Sequence, residues 1–115
     1  MTGLSVVIPT FNTAQMTLRC CRAVLASLPA DSEVIVADDG STDGTADLLA
    51  REAPSVHVVR LESNRGFAPA ANRGVAAAQG GIILLLNSAA IVDPDAIAAL
   101  LAAFSAAPKL GVAAA

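Results

Sequence analysis

Short aliphatic runs alternate with helix-length segments along this chain, and that alternation restricts its fold more than any other feature. Leu4-Ser5-Val6-Val7-Ile8 reads as a strand closed by Pro9; Glu33 to Ala37, Val56 to Leu61 and Ile82 to Leu86 read as three more. Between them, apolar residues recur at helical spacing. Leu18, Cys21, Leu25 and Leu28 share one face of a helix from about Thr13 to Pro29. A second helix runs from Asp43 or Thr45 to Glu52, ahead of Pro54, and a third through Ala68 to Gln79, stopped by Gly80-Gly81. A fourth opens at Asp93-Pro94 and carries Ile97, Leu100, Leu101 and Phe104 in one stripe. Asp93 suits its N-cap and Pro94 its first helical position. Val112 to Ala115 reads as the start of a fifth strand.

Consecutive strands separated by helices pair in parallel, and right-handed crossovers place those helices on both faces of the sheet. The expected architecture is therefore α/β, a three-layer parallel sheet in strand order 3-2-1-4. Five large aliphatics in a row, Ile82 to Leu86, suit a central strand covered on both sides. The 115 residues suffice for a single domain spanning 1–115. The 55% hydrophobic and 15% charged residues argue against disorder. Aromatics are only 3%, so the core must be built from Ala, Val, Leu and Ile.

Net charge is −3 and the seven cationic residues are scattered, which argues against a nucleic-acid partner. No apolar run reaches the roughly 18 residues that span a bilayer. The expectation is a cytoplasmic chain with no transmembrane segment, free to associate with a membrane surface. Cys20 and Cys21 are adjacent, closer than disulfide geometry allows, and read as reduced thiols on a helix. His57 falls inside the third strand and reads as a hydrogen-bonded structural histidine.

In an open α/β sheet, ligands bind beyond the carboxyl ends of the strands. After the first strand, Pro9 sets a turn, Thr10 and Asn12 offer short polar groups, and Phe11 offers a flat face for a base. The same residues also make an ordinary capped strand-to-helix turn. After the second strand come Asp38 and Asp39, then Gly40-Ser41-Thr42-Asp43-Gly44-Thr45. Adjacent carboxylates on an extended chain point opposite ways, so one turns to the amides of the turn and the other toward a ligand. Alternatively, both accept from the Gly40 to Thr45 backbone. The glycine spacing of a dinucleotide-binding fingerprint is missing, which disfavours a Rossmann dehydrogenase.

Asn64-Arg65-Gly66-Phe67-Ala68 leads into the third helix, which continues through Asn72-Arg73-Gly74. A loop Arg beside a helix N-terminus suits a diphosphate, or is simply solvated. Asn72 in an otherwise apolar helix calls for a neighbouring loop or ligand to hydrogen-bond. Asn87 and Ser88 end the fourth strand. Asp93-Pro94-Asp95 spells Asp-x-Asp, but the helix start explains it better than a metal does.

Taken together, Val7 to Asn12, Val36 to Thr45, Asn64 to Gly74 and Leu84 to Ser88 resemble the N-terminal, nucleotide-sugar-binding half of family 2 glycosyltransferases, which have the GT-A fold. The resemblance runs from Leu4 to the end of the chain. The last two segments are most similar to the rhamnosyltransferase-like branch. It implies a parent reaction of inverting sugar transfer from a nucleotide-diphospho-sugar to a glycan or lipid-linked acceptor, as in cell-wall or polysaccharide biosynthesis. Pro9, Thr10 and Phe11 would contact the base and ribose. Asp39 would hydrogen-bond base or ribose, with Asp38 beside it. Arg65 and Asn72 would lie near the diphosphate. Asn87 and Ser88 would sit where the sugar-phosphate meets the family's divalent cation, Mg²⁺ or Mn²⁺.

The pattern is broken at Ala89, where the family carries the last Asp of its Asp-x-Asp-type motif. A methyl cannot ligate a hard cation. The family's catalytic base belongs to the half of the domain that follows, so no catalytic residue is assigned here. The alternative function is a non-catalytic nucleotide-binding or assembly module that has lost its metal ligand. A response-regulator-like domain would need acids after the first strand, which Pro9-Thr10-Phe11-Asn12 does not supply. A half-domain would also leave a sheet edge open to pairing with another copy, giving a homo-oligomer.

Overall fold

A computed structural model describes residues 3–90 and 92–106, with side chains through residue 102. Four strands and four helices alternate: β1 (Leu4–Thr10), α1 (Ala14–Ser27), β2 (Ser32–Asp38), α2 (Thr45–Glu52), β3 (His57–Arg60), α3 (Phe67–Ala77), β4 (Ile82–Leu85) and α4 (Ala96–Ala106). The sheet order is β3-β2-β1-β4 and every pair is parallel, as the alternation requires. Thr10 stands opposite Asp38, and Asp38 opposite Arg60. That register brings the ends of β1, β2 and β3 level, so the turns that follow them meet.

β1 is central and all seven of its residues are buried. Leu4, Val6 and Ile8 share a face with Val34, Val36, Leu84 and Leu86, and pack under Leu18, Cys21 and Val24 of α1, Leu49 of α2 and Ile97 of α4. Burying each such aliphatic contributes roughly 1.5–3 kcal/mol. The opposite face receives α3 through small residues. A Cβ on Gly74 would lie 2.5 Å from Val7 Cγ1 and 3.3 Å from Ala37 Cβ, so the helix sits as close as a bare backbone permits. Ala37, Leu61 and Ala70 complete this thin layer.

Three sequence expectations need correction. β4 is an edge strand among the described residues, and Ile82, Ile83 and Leu85 are only half-buried rather than covered. The fifth strand read at Val112 to Ala115 lies outside the described residues, as does the Phe104 side chain. His57 is exposed at the start of β3, because an edge strand turns it to solvent. α4 begins at Ala96, not Pro94: the Ala96 amide donates to Asp93 O at 3.0 Å, a tighter turn ahead of the first α-helical bond, Ala99 N to Asp95 O. Among the described residues, no helix is long and apolar enough to cross a membrane.

The thiols are free and buried. Desolvation pushes Cys20 up to about 11, and desolvation together with Cys20's charge pushes Cys21 up to about 12. Both therefore behave as small apolar groups at neutral pH. At the amino ends of the strands, Ser5 Oγ donates to Glu33 Oε2 (2.6 Å), Gly80 N donates to Ser5 Oγ (2.8 Å) and Gln79 N to Glu33 Oε2 (2.7 Å). Burial opposes the charge on Glu33, but the Ser5 hydroxyl, the Gln79 and Gly80 amides and the nearby His57 outweigh it and hold the carboxyl below its usual range.

Candidate functional site

The carboxyl ends of the strands are joined by one backbone bond and by bonds from side chains of one turn to backbone of another. The Asp39 amide donates to Thr10 O at 2.9 Å. Asn12 N donates to Ser41 Oγ at 2.9 Å, and Asn12 Oδ1 accepts from Thr42 N at 2.8 Å. Asn12 adopts φ 51°, a left-handed conformation its short amide tolerates. Asp43 Oδ2 accepts from Ala14 N at 3.0 Å, and its Oδ1 from the Thr45 amide at 3.2 Å and from the Thr45 hydroxyl.

Burial works against the Asp43 charge, but these donors outweigh it and keep the carboxyl below its ordinary range. Glu33 is shifted the same way. A depressed carboxyl contributes stability above its unfolded pKa and loses it as pH falls through the folded one. Stability is therefore expected to fall below about pH 4, more shallowly in Asp43→Asn. Thermal melts of both proteins between about pH 6 and about pH 3 check this. Parallel curves would remove Asp43 from the account.

The third turn is held by Asp39. Its Oδ1 accepts from Arg65 N at 2.7 Å and its Oδ2 from Gly66 N at 2.9 Å. Gly40 permits the approach: its φ is 77°, and a Cβ there would fall 2.6 Å from Ser63 C and 2.8 Å from Asn64 N. Asp38 plays a different part. It is wholly buried; Oδ1 accepts from Ser41 N at 3.0 Å, while Oδ2 has no hydrogen bond among the described residues and lies 3.9 Å from Arg60 Nε. Arg60 Nη2 also donates to Ser41 O at 2.7 Å. Of the two carboxylates, Asp38 secures the turn from within and Asp39 faces a cavity.

That cavity, about 330 Å³, lies where the turns meet. Pro9, Thr10 and Phe11 reach it from the first turn, Asp39 from the second, and Asn87 and Ser88 from the end of β4. These six of the sequence-selected residues are brought together. Thr10 lines the cavity with its hydroxyl already engaged: Oγ1 lies 2.8 Å from Thr13 Oγ1 and 2.6 Å from Thr17 Oγ1, which are 3.1 Å from each other. Arg65 and Asn72 lie elsewhere, on a second depression of about 600 Å³ with Arg60, Glu62 and Arg73. Arg65 is tied to the first cavity through its backbone amide, which Asp39 accepts, but the residue lines the second hollow. Asn72 lies on an exposed position of α3, where its side chain has no hydrogen-bond partner among the described residues.

Asn64, Gly66 and Phe67 also line the first cavity, with Thr13 and Ala70. None was singled out as a site residue from sequence. Phe67 carried a usable signal, being one of only three aromatics and following the loop glycine.

The sequence profile of glycosyl transferase family 2 matches residues 5–115. The chain belongs to that family. It is 38% identical over 90 residues to the succinoglycan biosynthesis protein ExoO of Rhizobium meliloti, covering 77% of this chain and 26% of ExoO. The mannosyltransferase PcManGT from Pyrobaculum calidifontis, solved with GDP-Man and Mn²⁺, superposes with a TM-score of 0.82 at 27% identity, over 94% of this chain and 33% of that one. TarS of S. aureus, at 24% identity, shares the fold with a TM-score of 0.81, over 90% and 32% of the two chains. The chain spans about a third or less of the length of the curated relatives it matches. The GT-A fold expected from sequence is thus observed as its N-terminal part.

PcManGT was solved with Mn²⁺, a hard cation that takes oxygen ligands. Asp39 is the carboxylate that lines the cavity, and each of its oxygens accepts one amide. Asn87 Oδ1 accepts from Ala89 N at 2.8 Å, and Ala89 itself is an exposed methyl. Among the described residues, no group of three or more His, Cys, Asp or Glu is placed to hold an ion. This donor set does not fit a hard divalent cation, which takes six or more oxygen ligands with carboxylates prominent.

Proposed function

We propose that this chain is the donor-binding part of an inverting glycosyltransferase of the rhamnosyltransferase-like branch, taking a sugar from a nucleotide diphosphate to a glycan or lipid-linked acceptor. The carrying observation is the convergence of Phe11, Asp39, Asn87 and Ser88, from three different strand ends, on one cavity. The names of relatives support it: ExoO is a succinoglycan biosynthesis protein, and PcManGT was solved with GDP-Man. The motifs Asn64 to Gly74 and Leu84 to Ser88 support the branch.

In this reading Phe11 supplies a face for the base. Asp39 uses the acceptor sites left free on its two oxygens, since each can take a second hydrogen bond. Ser88 and Asn87 orient the sugar-phosphate. Arg65, whose amide Asp39 holds, swings its guanidinium to the diphosphate, with Asn72 behind it. The base that deprotonates the acceptor hydroxyl belongs to the part of the family's domain that follows this one.

An acceptor-only carboxylate at the base edge selects bases that present a ring N–H. Uracil, thymine and guanine do; cytosine presents a ring acceptor instead. Titration calorimetry is expected to show UDP, dTDP or GDP binding more tightly than CDP. Asp39→Ala should weaken the preferred nucleotide by about tenfold or more, as a hydrogen bond to a charged group contributes roughly 1.5–3 kcal/mol. Equal affinity in mutant and native chain would remove Asp39 from the site. The cation-poor donor set around Ala89 favours a second reading, a nucleotide-binding or assembly module without transfer activity. It is told apart by assaying sugar transfer once nucleotide binding is established.

A further inference from the structure

Two of the chain's three aromatic side chains, Phe11 and Phe67, are 41% and 67% exposed, and both line the same cavity. A single exposed Phe needs no explanation. Two on one small cavity, in a chain with no Trp or Tyr, do.

Their placement is tied to Asp39. Phe11 follows Thr10, whose carbonyl accepts the Asp39 amide at 2.9 Å. Phe67 follows Gly66, whose amide donates to Asp39 Oδ2 at 2.9 Å. Each ring is thus carried by the residue next to one bonded directly to Asp39, on loops that come from different strands. The result is one cavity lined by a carboxylate and two exposed aromatic side chains. Gly66, at φ 103° with open space beside its Cα, turns the chain so that Phe67 heads α3 and stays at the cavity.

A heteroaromatic ring is the ligand class that uses both features at once. Its faces stack on aromatic side chains and its polar edge meets a hydrogen-bond acceptor. We propose that Phe67 is the second wall of a base slot, with the nucleobase held between Phe11 and Phe67 and its N–H edge turned to Asp39. This rests on the nucleotide reading above and adds a residue to it. Phe67 is then a binding residue that sets preference for base-bearing ligands, while the diphosphate is held by other groups.

The test is calorimetric titration of the native chain, Phe67→Ala, Phe67→Leu and Phe67→Trp with UDP and, separately, with inorganic pyrophosphate, which has no base. Base-aromatic stacking is sequence-tolerant and substantial. Phe67→Ala should weaken UDP by about tenfold or more, Phe67→Leu should weaken it as well, and Phe67→Trp should keep it. Pyrophosphate affinity should not change. Unchanged UDP affinity in Phe67→Ala, or an equal loss for UDP and pyrophosphate, would overturn the slot while leaving the nucleotide site standing. Failure of the native chain to bind any of the nucleotides would overturn that site itself. Thermal melts should match across the set, since Phe67 adds little to the core.

Discussion

Ala89→Asp is expected to make nucleotide-diphosphate binding by this chain depend on Mn²⁺, while the native chain binds with little such dependence. The native turn offers an uncharged amide at Asn87, a hydroxyl at Ser88 and a methyl at Ala89, and Asn87 Oδ1 accepts from the Ala89 amide. Asp39 is the carboxylate that lines the cavity, and both its oxygens bind the Arg65 and Gly66 amides. A carboxylate at position 89 would add a hard anionic oxygen at the exposed end of that turn. Diphosphate oxygens and water would complete the coordination. A difference of about tenfold or more between Mn²⁺ and EDTA should appear in the mutant and be nearly absent in the native chain. Strong Mn²⁺ dependence in the native chain would mean that another acid, such as Asp93, holds the ion and that Ala89 does not mark the ligand position.

The second large effect is expected at Gly40. Alanine there must adopt φ 77°, which costs roughly 1–2 kcal/mol for a residue with a Cβ. Its methyl would also meet backbone, 2.6 Å from Ser63 C and 2.8 Å from Asn64 N. Backbone cannot rotate away as a flexible side chain would, so the third turn must shift, adding about 1–3 kcal/mol. Gly40→Ala should lower the melting temperature by about 10 °C or more. It should also weaken nucleotide binding, because the displaced segment includes the Asn64 and Gly66 cavity wall. A melting temperature within about 2 °C of the native value would show that the turn yields freely.

The sheet was readable because the apolar period changes cleanly between strands and helices. Val34, Val36 and Leu49 fall in the core as that periodicity requires. Turn chemistry was readable in part. Asp38 bonds within its own turn and Asp39 lines the cavity, but periodicity cannot tell that Asp39's partners are amides 26 and 27 positions away. Arg65 read as part of the same site as Asp39, and its backbone is. Its side chain falls on the other side of the loop, a matter of local φ and ψ that residue type does not encode. Phe67 was overlooked because one aromatic at a helix start is uninformative until Phe11 is seen on the same cavity.

Apart from the Arg60–Ser41 and Asp39–Thr10 bonds, those that knit the turns together have an asymmetry. Asn12, Asp39, Asp43 and Ser41 supply acceptor side chains, while Thr42, Arg65, Gly66, Ala14 and Asn12 contribute backbone N–H groups. A backbone donor is the same whatever side chain it carries. The framework therefore constrains the identity of a few acceptors and leaves Thr42, Arg65 and Ala14 free to be exchanged without loosening it. A lineage can drift at such positions, or a protein engineer can randomise them, changing what the rim touches while the scaffold stays as it was.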